Sequence, residues 1–484
     1  MARTTRFQTV PLKTNGSSYS SRSIPISSQR SLNLYPEITM DGISDSVMHS
    51  WPNVSIFATD YVGSPSSKGM YFWNNKLYIA GDNKLKEYSQ DGTVVEVGPL
   101  VISADRVKFS NNSDVMLICA GGSPYSYDGA ALTQLTSITF NPTFPSFLNE
   151  RFYLNGDDGA ISVSDVISTN FDSANIFYGR SDTDETTSQY VFNQIIYLIS
   201  KGSIEPWQDV GAGAPPVSRI DQGIIEGICV LSPYGITNTS DYMYFIGSDG
   251  HAYRLSAFSA EDISNTVISN HFYGLDLTAV DANYLAFAGH KFIIFDFYND
   301  SETWVFSETS GAWFELASLG SAISGDTPEQ PYAYFNFVVG WDQVTYGITK
   351  DSGYIYYLDQ NATQGAGGPL PRERTISCVS GDDFGEAGQL LEMSSIAFSV
   401  ETGVGTQFLG LESPVMEISP SFDGGYTFGR SEFIQLGRDG NYTLPTEYYN
   451  MKVFRRAVFR LRVTDIVSQF TLYSASIKIR MAVH

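Results

Sequence analysis

Between residues 70 and 358 one short pattern recurs seven times: apolar strands of four to six residues, separated by turn dipeptides. The clearest copy runs from Tyr71 to Gly81 and on through Lys84–Tyr88. It then turns at Gln90-Asp91-Gly92, continues along Thr93–Val97 and stops at Gly98-Pro99. Gly and Asp supply the turn conformations, and β-branched and aromatic residues supply the strands. Further copies run over Asp114–Leu135, start at Phe147, Gln194, Asp241 and Lys291, and end with Val344–Leu358. A period of roughly 40–50 residues with several antiparallel strands each is the mark of propeller blades. One blade leaves both of its faces apolar, and only stacking around a ring buries them. The chain is therefore expected to be all-β, with a β-propeller of about seven blades over residues 41–362. The alternative is an irregular array of β-sandwiches.

Residues 1–40 differ in character: Asn15–Ser31 is polar and Ser-rich, and Pro25 and Pro36 break any regular element. That composition predicts an extended arm pinned by its neighbours. Thr363–Pro369 has the make-up of a linker. Residues 371–484 carry longer alternating strands, forming a separate β-domain or returning to close the ring. Among them, Phe459, Leu461 and Val463 alternate with Arg460 and Arg462, so one face is apolar and the other basic. One helix is expected, capped by Ser259 and opening on Ala260-Glu261-Asp262-Ile263, where acids suit the first turn.

The net charge of −23 argues against tight phosphate binding, which needs clustered Lys and Arg, and against docking on an anionic membrane. It suits solubility, and it also suits a channel wall that DNA must pass without sticking. Cys119, Cys229 and Cys378 show no metal spacing and are expected to be buried, reduced thiols. Met1–Phe7 is basic, but no apolar stretch follows it as in a signal peptide, and no run is long enough to insert in a membrane.

No constellation points to catalysis. His49, His251, His271, His290 and His484 are isolated in sequence, without the spacing of a zinc site. Gly211-Ala212-Gly213 runs into Pro215-Pro216, which prevents the helix a phosphate loop requires. Asp91, Asp128, Asp158, Asp249, Asp423 and Asp439 each precede glycine, a turn signature rather than a calcium loop. No catalytic, cofactor-binding or metal-binding residue is assigned. The rival reading comes from Ser421-Phe422-Asp423-Gly424-Gly425-Tyr426-Thr427-Phe428, which looks like the Asp-box turn of sialidases and other propellers. On that reading the chain would be a carbohydrate-binding or glycosidase-like receptor-binding protein.

Four segments in order carry a different likeness: Asn33–Glu37; Gly202–Trp207 with Gly211 and Pro215; His290–Glu315 with Trp304 and Trp313; and Glu401–Gly405 with the Asp-Gly-Gly hairpin and the Phe454–Val463 strand. Together they resemble the tail-hub, or packaged-DNA stabilisation, proteins of short-tailed phages. Pro206 departs from the family pattern, where an aromatic follows the glutamate more directly. The resemblance implies a structural virion protein that is not an enzyme. It implies a ring of six copies below the portal and adaptor rings, in contact with the tail needle and tailspikes or fibres. DNA would pass through that ring without specific binding. Synthesis would be in the bacterial cytoplasm, with no membrane insertion and no cofactor.

Overall fold

The computed structural model describes residues 6–482 except 21–22, 25–26, 40–45, 59–66, 139, 180–184, 320–328, 333–334, 351–353, 363–369, 386, 406–411 and 466–468. The linker expected at Thr363–Pro369 and His484 lie outside these residues. Seven antiparallel sheets follow one another. From inner to outer strand, blade 1 is Ser67–Trp73, Lys76–Gly81, Lys84–Tyr88 and Val94–Pro99; blade 2 is Lys108–Asn111, Met116–Cys119, Tyr125–Tyr127 and Leu132–Gln134. Blade 3 is Pro142–Leu148, Arg151–Gly156, Ala160–Ser164 and Phe171–Tyr178; blade 4 is Ser188–Phe192, Ile195–Ile199, Ser203–Asp209 and Val217–Arg219. Blade 5 is Ile236–Asn238, Met243–Ile246, Ala252–Ser256 and Ser259–Asp262; blade 6 is Val280–Phe287, His290–Phe297, Glu302–Ser307 and Ala312–Leu319.

Blade 7 takes three strands from Phe337–Trp341, Val344–Ile348 and Ile355–Asp359, and its outer strand from Asn53–Ala58 near the start of the chain. That strand closes the ring, so none of the strands after 371 does.

Tight hairpins join the two inner strands of most blades. Asn74 and Asn75, Asn149 and Glu150, Asn193 and Gln194, and Asp342 and Gln343 all have positive φ. Consecutive left-handed residues match the twist of the flanking strands.

Alternation within each strand sends side chains to both neighbours. In blade 2, Ile118 packs with Trp73, Tyr78 and Tyr127 toward blade 1, while Leu117 and Cys119 pack with Phe152 and Leu154 toward blade 3. The same logic repeats at Val163 with Trp207, Ile204 with Phe245, Tyr244 with Phe306, Phe314 with Leu358, and Tyr346 with Leu77. Seven apolar clusters thus fill the seven gaps between blades, and the ring is complete.

The expected helix is displaced. Ser259–Asp262 is the outer strand of blade 5, paired with Ala252–Ser256. The helix is Thr266–Phe272, capped by Asn265, whose side chain accepts from the amides of Val267 and Ile268 at 3.0 Å. Arg254 facing Glu261 across the strand pair outweighs the local helix signal. Ile268 and Phe272 of the helix pack between blades 5 and 6.

The remaining strands form a β-sandwich. One sheet runs Glu447–Phe454, Leu391–Val400, Thr471–Met481, Ser46–Ser50, Leu34–Ile38, with Gln8–Leu12 also on Thr471–Met481. The other runs Ser31–Leu32, Arg372–Thr375, Arg456–Val463, Val415–Ser421, Glu432–Gln435. Met48, Ile396, Phe398, Ile418, Phe459, Leu461 and Ile477 lie between the sheets. Arg462 is opposite Glu373 on one side and Glu417 on the other, so its charge is balanced across the strands, while Arg460 is opposite Thr375 and Ser419. The segment before 51 contributes strands to both sheets.

Candidate functional site at the propeller–sandwich junction

The two bodies are joined by a seam of backbone and buried polar groups. Leu32 pairs in parallel with Glu315 on the outer strand of blade 6 and antiparallel with Glu373. Sheet hydrogen bonding therefore runs from the propeller into the sandwich through a two-residue strand. Asn33 comes next, fully buried and left-handed at φ 52. Its amide donates to Glu315 O and its carbonyl accepts from the Trp51 amide, both at 2.8 Å. Its Nδ2 donates to Ala317 O at 2.8 Å and Pro371 O at 2.5 Å, and its Oδ1 accepts from the Ala317 amide at 3.1 Å. Asn is among the few residues that tolerate this conformation, because its side chain bonds locally. Arg374, with no exposed surface, holds the preceding segment. Its Nε donates to Thr14 O at 2.7 Å and its Nη2 to Gln29 Oε1 at 2.9 Å. Burial draws its pKa down to about 10, which leaves it charged at neutral pH.

Histidines that are isolated in sequence meet here. The Glu37 carboxylate lies 3.1 Å from His290 Nε2 and 3.4 Å from His49 Nε2. The Tyr35 ring packs on both imidazoles, at 5.2 and 5.9 Å between centroids. Burial lowers the His49 pKa against the pull of Glu37 and Glu401. Among the described residues, no group of three or more His, Cys, Asp or Glu is arranged to hold a metal.

Beside the seam lies a cleft of about 960 Å³. Its walls are blade 6, the helix and the sandwich, and the hairpin of Tyr19–Ser20 with Ser28–Gln29 borders it. His271 Nε2 is 2.6 Å from Glu302, which also accepts from Trp304 Nε1 at 2.9 Å. Arg30 pairs with Glu315 at 2.7 Å, and Arg460 stacks over Phe428 at 4.4 Å. The hydrogen bond to Glu302 raises the His271 pKa, so this contact stabilises the fold below pH 6.5 and is lost as pH rises through the elevated value. His271→Gln should therefore lose less stability than the parent chain between pH 6 and 8.5 in urea titrations. Parallel curves for the two proteins would refute the pairing.

The Asp-box hairpin is a brace. Both Asp423 oxygens accept from the Thr427 amide at 3.0 Å, Oδ1 also accepts from Ser421 Oγ at 2.7 Å, and these bonds hold the carboxyl far below its usual pKa. A Cβ on Gly425 would sit 2.6 Å from Ser28 Oγ, so the hairpin abuts the N-terminal segment. Asp91, Asp128, Asp158 and Asp249 likewise accept amides of their own turns. Glu205, of the Gly202–Trp207 motif, is buried and accepts from Trp207 Nε1 at 3.2 Å. Cys119 is buried, Cys229 and Cys378 are partly so, and all three are free thiols.

The propeller axis is filled. Arg106, 5% exposed, reaches from the approach to blade 2 to bond the Asp281 carboxylate on the inner strand of blade 6. Its guanidinium stacks on Tyr298 at 5.0 Å and Phe337 at 5.1 Å. Lys108 lies over Tyr234 and Phe144 at 5.0 and 5.5 Å, and burial draws its pKa down to about 8. Nothing local in the sequence marks this plug, because its members come from five blades.

A family model described as bacteriophage P22 Gp10, beta-propeller, matches residues 8–363. The match takes in the N-terminal segment and the ring and stops before the last sandwich strands. No curated protein matches the chain. Among solved structures, the computationally designed Ika8 protein is 12% identical and similar over 63% of this chain and 99% of its own, with a TM-score of 0.38. YCF48 bound to D1 peptide is 12% identical over 64% and 99%, with a TM-score of 0.39. BamB from Moraxella catarrhalis is 12% identical over 74% and 98%, with a TM-score of 0.39.

Proposed function

The chain belongs to the phage stabilisation family of the bacteriophage P22 Gp10 β-propeller, and from that membership we propose that it is a hub subunit of a short-tailed phage tail. In this role it forms a ring, taken as six copies, that joins the portal and adaptor rings to the tail needle and to tailspikes or fibres. The ring helps to retain packaged DNA.

The observation that carries this reading is the family match over both the N-terminal segment and the ring. Two features support it. The axial plug of Arg106 and Asp281 means that a DNA conduit would have to lie between copies rather than along the axis of one propeller. The charge is also segregated: residues 51–370 hold 13 Lys and Arg against 36 Asp and Glu and so carry the whole −23, while the rest of the chain has 16 of each. Acidic propeller faces turned toward DNA would repel its phosphates. The role proposed is mechanical, with no catalytic residue.

The test is a conditional knockout in the producing phage. Purified parental virions should contain the chain by mass spectrometry. Particles made without it should package DNA and then lose it. Mutant particles that keep their DNA and infect normally would overturn the proposal.

A further inference from the structure

We infer that copies of this chain associate head to tail, the distal pole of one sandwich docking on blade 3 of the next propeller. The inference rests on the ring-subunit reading and names the surfaces that build the ring.

The donor surface is the part of the sandwich farthest from its own propeller. In one sheet Leu34–Ile38 lies by blade 6, and Glu447–Phe454 is the strand at the opposite edge. In the other sheet Ser31–Leu32 bridges to blade 6, and Glu432–Gln435 is the opposite edge. These two distal edges expose Tyr449 at 73%, Met451 at 64% and Phe433 at 62%. Exposed apolar groups concentrated on sheet edges mark a contact surface. They are set among cations: residues 425–460 hold six Lys and Arg against three Asp and Glu, in a chain of net −23. Lys452, Arg455 and Arg456 are all exposed there.

The acceptor lies at the other end of the molecule. In a ring of seven, blades 2 and 3 are each three steps from blade 6, on opposite sides. Residues 109–200 hold ten Asp and Glu against two Lys and Arg. Blade 3 exposes Asp172 on its outer strand, Asp165 in the loop that leads into that strand, Asp157 in the turn between its second and third strands, and Glu185 in the stretch that leads on to blade 4. It also exposes Ile167 at 64%, Tyr178 at 51% and Val166 at 46%. One pole is thus apolar and basic, and the other is apolar and acidic. A propeller-to-propeller contact would set like charges together, so the complementary occupant of each pole is the other pole of a second copy. Two different patches on one chain make a heterologous contact, which can repeat into a ring.

The test is sedimentation of the full chain over a concentration series. The parent should self-associate, and association should weaken about tenfold or more as salt rises from about 0.05 to about 0.5 M. Lys452→Glu with Arg455→Glu and Arg456→Glu should be monomeric. So should Asp157→Lys with Asp172→Lys and Glu185→Lys. An equimolar mixture of the two triple variants should associate again, because each presents the charge that the other now lacks. A parent that stays monomeric, association insensitive to salt, or a mixture that fails to recover although each variant is folded by circular dichroism would overturn the inference. The hub reading fails separately: a chain that associates in this way but is absent from virions removes that reading and leaves the contact standing.

Discussion

Replacing Asn33 by alanine is expected to destabilise the protein by about 3–4 kcal/mol. The change removes three side-chain hydrogen bonds, to Ala317 O, Pro371 O and the Ala317 amide, at about 1 kcal/mol each. It also places an alanine at φ 52, where a Cβ costs about 1 kcal/mol. Asn33→Gly should cure the backbone part alone and lie about 1 kcal/mol closer to the parent. Asn33→Asp should be the worst of the three, since it loses both donors and turns a carboxylate toward two carbonyl oxygens. Urea unfolding followed by tryptophan fluorescence gives the order. An alanine variant within about 1 kcal/mol of the parent would show that the seam is held elsewhere.

Arg106→Leu is expected to cost about 3–5 kcal/mol, because it leaves the Asp281 carboxylate buried and unpaired in the axis. Asp281→Leu should cost a similar amount by stranding the guanidinium. The double variant should recover most of the loss, since two apolar side chains suit a site already walled by Tyr234, Tyr298 and Phe337. Additive single costs in that cycle, measured by calorimetry, would mean that the two groups act independently.

The seam was partly legible in the sequence. Asn33–Glu37 stands out as a motif, and the structure gives its members work: Asn33 ties blade 6 to the sandwich, Tyr35 packs on two imidazoles, and Glu37 lies between them. What could not be read was the company they keep. Glu37 and His290 are 253 residues apart, and Arg106 and Asp281 are 175 apart. Each is an ordinary charged residue in its own neighbourhood. Regional charge counts would have revealed the acidic ring and the balanced sandwich, because they require no contact to be known. The displaced helix shows the converse. Ser259-Ala260-Glu261-Asp262 has a good helix start, and a neighbouring strand with Arg254 in register turned it into sheet.

By itself the sequence determined the blades. Alternating apolar residues specify which side chains face each neighbour, and Asn, Asp and Gly specify where the chain reverses, all within a few residues. Tertiary structure alone decided that Asn53–Ala58 closes the ring, that Gln8–Leu12, Ser31–Leu32, Leu34–Ile38 and Ser46–Ser50 complete the sandwich, and that Arg106 plugs the axis. Most of those contacts join residues far apart in the chain, 175 for Arg106 and Asp281. Any apolar strand with the right alternation could fill such an edge, and only the assembled ring, with one edge left open, selects among them.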